Sequence, residues 1–582
     1  MITTRLYKIL VAFCVGGAFS AALTSCSGFL YDDSDQIIYA DDHSLNSDAD
    51  TLWSVTGIMN KMQAVADRTI LLGEVRADLV SLTGDAPAAL QQMADFNMSA
   101  ENAYNQPRDY YAIINNCNFF LSRADTALRD GRNKHIFLKE YAAVKAFRAW
   151  TYLQLALNYR RVPFITEPIL AEEESEQQFT RYDLQQICQY FIADIEPYAD
   201  IELPDYQKIR NTDSRLFYYP IYVLLGDLNL WAGNYRAAAE NYYKYLSTRN
   251  GTNSSYPLST NAVRFSNNDS HWTMMLDTWS PMFSDEKAQS SSEIITMIPG
   301  DSIPSEGNYS LLRDLFNTTE NNNYRAAIRP SQAIINLSKA QKYCQFTTGG
   351  EFVFAPDNLS GNRSGDLRLA AAYNEENGQQ TMNGKTIDHF AAFTKYQTAH
   401  VHVLRRVMVY LRLAEALNRA GFPRFAFQIL KQGINNNVIE NEVLPYYPAD
   451  EAWLRTFDFP NIAYILETTA GQLTENTMGI HSRGCGYSAY NTAYELPDDA
   501  SITDEAARLQ YQIEHVEDLI VDESALELAF EGQRFYDLMR VALRRGTPDY
   551  LASRVARRTG STNASLLQHL SDSNNWYLNL DD

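Results

Sequence analysis

Three times in this chain two helical patterns stand back to back across a short connection, with small residues where the helices would cross. Tyr110–Leu128 is followed by His135–Tyr159, Arg215–Trp231 by Tyr235–Leu246 across Gly233-Asn234, and Leu404–Ala420 by Pro423–Gly433 across Gly421-Phe422. Ala and Gly at a crossing let two helices approach closely, which is how tetratricopeptide units stack sideways into a scaffold. The helix through Tyr159 must stop before Pro163, since proline disfavours helical geometry in the residue ahead of it. The units are not tandem. Residues 251–310 and 345–400, rich in Asn, Ser, Gly and Asp, interrupt them. The expected fold is therefore mainly α, a scaffold of helical pairs near 110–159, 215–246 and 404–433 carrying long loop-rich insertions.

The chain has 582 residues, ample for a large core, and a formal charge of −22. Residues 1–25 open with Arg5 and Lys8 and run apolar from Ile9 to Leu23, too short for a membrane span of roughly 20 residues. The segment reads as a cleaved signal peptide. Leu23-Thr24-Ser25-Cys26 resembles the bacterial lipobox, which makes Cys26 the acylated first residue of the mature protein. Loss of Arg5 and Lys8 would take the charge from −22 to −24, which disfavours nucleic acid as a partner. Residues 26–50, rich in Asp, suit a tether, leaving 51–582 as the folded body. Cys117, Cys188, Cys344 and Cys485 allow three full disulfide pairings or, by default, buried thiols, and their spacing is no zinc pattern.

Residues 523–540 read E-S-A-L-E-L-A-F-E-G-Q-R-F-Y-D-L-M-R. Leu526, Phe530, Phe535, Leu538 and Ala542 form a drifting apolar stripe, and Glu531, Arg534, Asp537 and Arg540 alternate in sign at intervals of three, an expected ion-pair ladder. This stretch resembles the C-terminal signature of the SusD/RagB family of nutrient-capturing surface lipoproteins, with Ser524 and Ala525 where the family has an Arg pair. Leu71 to Asp78 is similar to the family's early R-x-D segment. Tyr159 to Pro163 followed by Thr166-Glu167-Pro168 resembles its G-G-V-P…T-E-P segment, with Arg160 and Arg161 in place of the glycines. Either the turn differs there or an arginine adopts a glycine conformation at some cost.

The resemblance implies a lipid-anchored protein on the outer face of the outer membrane. It would cap a SusC-like TonB-dependent transporter and present a captured glycan, or in some members a peptide, without catalysis or cofactor. The ligand would lie on an aromatic arc drawn from the loop after the R-x-D segment, which here holds Phe96, Tyr104 and Asn105, and from the central insertion, which holds Trp272, Trp279 and Tyr309. Aromatics in such polar sequence have no helical face to belong to, so they form either satellite cores or exposed stacking platforms. The 37 tyrosines carry the same ambiguity.

Signals for chemistry are weak. The sequence holds no H-E-x-x-H, Walker loop, G-x-G-x-x-G or G-x-S-x-G. His400 and His402 would share one side of a strand as a metal pair without a third ligand. His481 and Cys485 group an imidazole with a thiol, although Gly484 and Gly486 beside them suit a tight turn. A surface hydrolase and a scaffold that binds only proteins stand as rival readings.

Overall fold

The computed structural model describes Leu45 and residues 48–580, apart from position 210, stretches within 251–308 and 342–364, and residues 461–478 and 485–493. Cys26, Cys485 and the side chains of Trp272 and Cys344 lie outside the described residues. Contacts divide the chain into Met1–Asp50 and Thr51–Asp582, and the architecture below is that of the second unit.

The body opens with α1 (Asp48–Gln63) and α2 (Ala66–Glu74), then a short strand β1 (Val80–Leu82) and α3 (Ala88–Ala94). The three expected pairs follow. They are α4 (Pro107–Arg123) with α5 (Leu138–Tyr159), α6 (Ile221–Ala232) with α7 (Tyr235–Ser247), and α8 (Arg406–Arg419) with α9 (Pro423–Lys431). Gly233 closes α6 at φ 82°, and Pro423 starts α9 at a position whose N–H needs no helical partner. The small-residue argument holds at Gly226, where a Cβ would stand 2.3 Å from the Tyr242 ring. The core of the second and third pairs, including Val223, Ala238, Tyr242, Leu413, Leu417, Phe425 and Ile429, is continuous with Val516 and Ile520 of α10 (Glu505–Glu527).

The element boundaries differ from the sequence expectation for local reasons. Pro107 starts α4 and the helix ends at Arg123, short of Leu128. Residues Ser214–Phe217 form a separate 3-10 turn, because Pro220 confines α6 to the residues after it. Leu404 belongs to a strand, β4 (Val401–Arg405), which pairs antiparallel with β2 (Ile294–Ile298), so α8 begins only at Arg406. The arginine in the glycine position takes the costly option, with Arg160 at φ 64° directly after α5. Cys117 and Cys188 are buried free thiols.

The expected ion-pair ladder does not form. The chain leaves the helix after Glu527, turns through Phe530 at φ 71° and Gly532 at φ 77°, and re-enters α11 (Arg534–Arg545). Only Asp537 and Arg540 remain as a rung, at 2.7 Å. The other charges are buried and reach other elements: Arg534 binds Asp78, Arg540 binds Glu415, and Glu531 binds Lys395 and Arg405. The apolar stripe behaves as expected, with Leu526, Phe530, Phe535, Leu538 and Ala542 all buried.

Glu527 is the centre of this array. Its carboxylate accepts from Arg368 at 2.9 Å and from the Trp279 indole at 3.1 Å, and lies 3.1 Å from Arg483 and 3.3 Å from Arg405. Burial opposes its charge, but the three guanidiniums outweigh burial and hold the carboxyl down to about 2. Glu293, Asp366 and Glu523 neutralise the remaining arginine charge. The array thus ties residues from both insertions to the C-terminal signature.

Candidate functional site

Two roomy clefts open among the described residues of this body, and one of them gathers residues anticipated from the sequence. It has a volume of about 370 Å³ and lies among the α1–α2 junction, the loop at Tyr104 and the segment 298–311. Asp67, in the first turn of α2, fastens the insertion by accepting from the Ser310 hydroxyl at 2.6 Å and the Leu311 N–H at 2.9 Å. Burial raises its pKa. Gln63 donates to the Pro299 carbonyl at 2.7 Å, while its own buried Oε1 has no hydrogen-bond partner among the described residues. Arg68 is held by the Gln106 carbonyl at 2.9 Å and by Asp109.

Tyr104 and Tyr309 both line this cleft and are both half-buried. The Tyr309 hydroxyl donates to Asp314 Oδ2 at 2.9 Å and accepts from the Asn321 amide at 3.3 Å, so its ring is fixed through its polar end. Burial pushes the Tyr104 phenol up to about 12, which keeps it a neutral hydrogen-bonding group at physiological pH. Leu311, 49% exposed, supplies an apolar rim. Two aromatic side chains, an amide and fixed backbone carbonyls around an open space suit stacking and hydrogen bonding to a polar ligand.

The other candidates go elsewhere. Asn105 is buried and its amide donates to the Ser99 carbonyl at 3.2 Å, bracing its own turn. Phe96 is half-buried at φ 56° with its ring 5.9 Å from Phe535 of α11. Trp279 is fully buried, bound to Glu527 and set 5.2 Å from the Phe283 ring, so it belongs to the core around the charge array. Trp272 stands in the strand His271–Asp277 opposite Asn267. His402 is buried in β4, where desolvation lowers its pKa to about 4, and His481 bonds Glu523 at 2.6 Å inside the array. Gln63, Asp67 and Arg68 carry no signal in the sequence, because they occur in an ordinary helical pattern. Only the fold shows that α2 begins at the cleft.

The second cleft is larger, about 530 Å³, and had no sequence signal. It is built on β1, which pairs antiparallel with β3 (Ile328–Pro330), together with α3, Tyr373 and the segment at Arg558. Val80, Leu82, Ala94 and Ile335 contribute apolar surface, and Gln91, Asp95, Arg329, Gln332 and Arg558 contribute polar groups. Arg558 donates to the Val75 carbonyl at 3.0 Å and the Ala94 carbonyl at 2.7 Å.

Residues 492–572 match the sequence profile of the SusD family. No curated protein matches the sequence. Among solved structures, a SusD superfamily protein from Bacteroides fragilis is 16% identical with a TM-score of 0.55, over 90% of this chain and 95% of the other. Surface glycan-binding protein A from Bacteroides uniformis is 13% identical with a TM-score of 0.54, over 91% and 96%. A SusD superfamily protein from Bacteroides vulgatus is 14% identical with a TM-score of 0.53, over 90% and 92%. At these identities the structural likeness is one of fold, the SusD-like helical scaffold. The chain thus carries a SusD family profile match over its C-terminal residues and a SusD-like fold over most of its length.

Proposed function

We propose that this protein is a cell-surface lipoprotein that captures an oligosaccharide or polysaccharide and passes it to a SusC-like TonB-dependent transporter, catalysing nothing itself. The observation that carries the reading is the meeting of Tyr104, from the loop after the R-x-D segment, with Tyr309, from the central insertion, at one cleft. The SusD-like fold, shared with a protein described as a surface glycan-binding protein, supports glycan as the ligand class. In this reading residues 1–25 are a signal peptide, Cys26 carries the lipid, residues 26–50 are the tether, and the outer membrane is the location. Several acyl chains give a durable anchor where one would bind marginally, at about 0.8 kcal/mol per buried CH₂.

A glycan array probed with purified protein, run beside product analysis and a peptide panel, tests this. Binding of a glycan with no new product is the expected result. Cleavage of a bound glycan, or binding confined to peptides, would contradict it.

A further inference from the structure

The second cleft differs from the tyrosine cleft in how its arginines are partnered, since Arg68 of the tyrosine cleft is paired with Asp109. Arg329, on β3 opposite Ser81, is exposed and lines the cleft, and its guanidinium has no hydrogen bond or ion pair among the described residues. Arg558 is half-buried, and its guanidinium donates to neutral carbonyls, those of Val75 and Ala94. No carboxylate of the described residues comes within 4.0 Å of either guanidinium. Burial disfavours the Arg558 charge and lowers its pKa, with Asp95 and Asp78 only partly restoring it from a distance.

The lining also contains two acids. Glu375 already has partners, being in ion-pair range of His389 at 3.6 Å and bonded with the Tyr373 hydroxyl. Asp95 lies at the C-terminal end of α3, in Coulombic but not contact range of Arg558. The lining is formally neutral, and Arg329 is the cation in it whose guanidinium has no hydrogen-bond or ion-pair partner among the described residues. The Gln91 and Gln332 amides also line the cleft; each already donates one N–H, to the Ala86 carbonyl and to Asn336, and keeps a second N–H and an oxygen for a hydroxyl, over apolar surface from Leu82, Ala94 and Ile335. A planar guanidinium donates two parallel hydrogen bonds to a carboxylate, which a neutral hydroxyl cannot match.

We infer that this cleft is a second ligand site, separate from the one at Tyr104 and Tyr309, and that it takes a carboxylated sugar whose acid group docks on Arg329 with Arg558 behind it. The inference rests on reading the protein as a glycan binder and names a chemical class that this reading leaves open. The acidic chain sharpens the point. With a net charge of −22, the protein as a whole repels polyanions, so a preference for an acidic glycan needs a local cause.

The test is calorimetric titration of the full-length protein in detergent with oligosaccharides of polygalacturonate, alginate and hyaluronate, each beside its carboxyl-reduced form. At least one acid should bind about tenfold or more tightly than its reduced form. That preference should disappear in Arg329→Glu, diminish in Arg558→Lys, and survive in Tyr104→Ala, with thermal melts confirming that each variant is folded. The Arg329 guanidinium has no hydrogen bond or ion pair to lose among the described residues, so its variant reports the site even where Arg558→Lys fails to fold. The inference is overturned if none of the acids is preferred, if the preference persists in Arg329→Glu, or if Tyr104→Ala removes it. Binding of the neutral forms alone would sink this site and leave the glycan-binding reading standing, whereas no binding of any glycan would sink both.

Discussion

Arg534 and Asp78, 456 positions apart in sequence, form a two-point ion pair in the interior, with Nε at 2.7 Å and Nη2 at 2.9 Å from the two carboxylate oxygens. The pair joins the early R-A-D segment to the C-terminal E-G-Q-R-F, so the two most recognisable stretches of the chain are halves of one contact. Arg534 also donates to the Val521 carbonyl at 3.0 Å, and its charge holds the Asp78 carboxyl below the usual range against the burial that raises it.

Removing one partner strands a buried charge, which costs about 3–5 kcal/mol. Arg534→Met and Asp78→Asn should each lower urea stability by that order, and the double variant should lose clearly less than the sum. Additive losses in the cycle would show that the two side chains act independently.

Glu527 should make the protein acid-sensitive. Its folded pKa is depressed to about 2 from 4.5, so its contribution is fully present above about pH 4.5 and lost as pH falls through about 2. Glu527→Gln should unfold several degrees earlier at pH 7, and the gap to wild type should narrow as pH drops toward 2. Equal melting temperatures at pH 7 would contradict the role given to the array.

Glu74 runs the other way. It is fully buried, accepts the Gly532 N–H at 2.8 Å through Oε1, and has no partner at Oε2 among the described residues. Burial raises its pKa to about 8, so the fold favours the protonated acid. Stability from this group is complete below about pH 4.5 and is lost as pH rises through about 8, a span on the order of 5 kcal/mol. Glu74→Gln should melt like wild type at pH 4 and higher than wild type at pH 8.5. A variant less stable at pH 8.5 would show that the group is ionised in the fold.

Gly532 sits at φ 77° against α2, where a Cβ would stand 2.2 Å from the Thr69 carbonyl oxygen. Gly532→Ala therefore combines backbone strain with a backbone clash and should cost more than 2 kcal/mol. Gly546→Ala, at φ 61° with open space around it, is the comparison that carries the strain alone. Similar melting of the two variants would show that the close approach to α2 is not required.

The helical pairs were legible because local spacing and small residues write them directly, as at Gly226 against Tyr242. The ladder was misread because Glu531, Arg534 and Asp537 keep helical spacing across a break that Phe530 and Gly532 impose. At the candidate site, Tyr104 and Tyr309 came from regional resemblance, whereas Trp279 is a core residue whose indole pairs with a carboxylate 248 positions away. Sequence carries no mark of that pairing. The arginine cleft was equally silent, because Arg329 and Arg558 come together only when β1 and β3 pair.

In the proposed function, ligand binds at the cleft of Tyr104 and Tyr309 while Trp279 holds the core. The direct measurement is affinity for a glycan identified on the array, taken with thermal melting, for Tyr104→Ala, Tyr309→Ala and Trp279→Ala. Losing a stacking anchor costs about 2 kcal/mol, about thirtyfold in affinity, so each tyrosine variant should bind about that much more weakly and melt like wild type. Trp279→Ala should melt markedly earlier. Tyrosine variants that bind normally, beside a Trp279→Ala that melts like wild type and has lost binding, would contradict the claim.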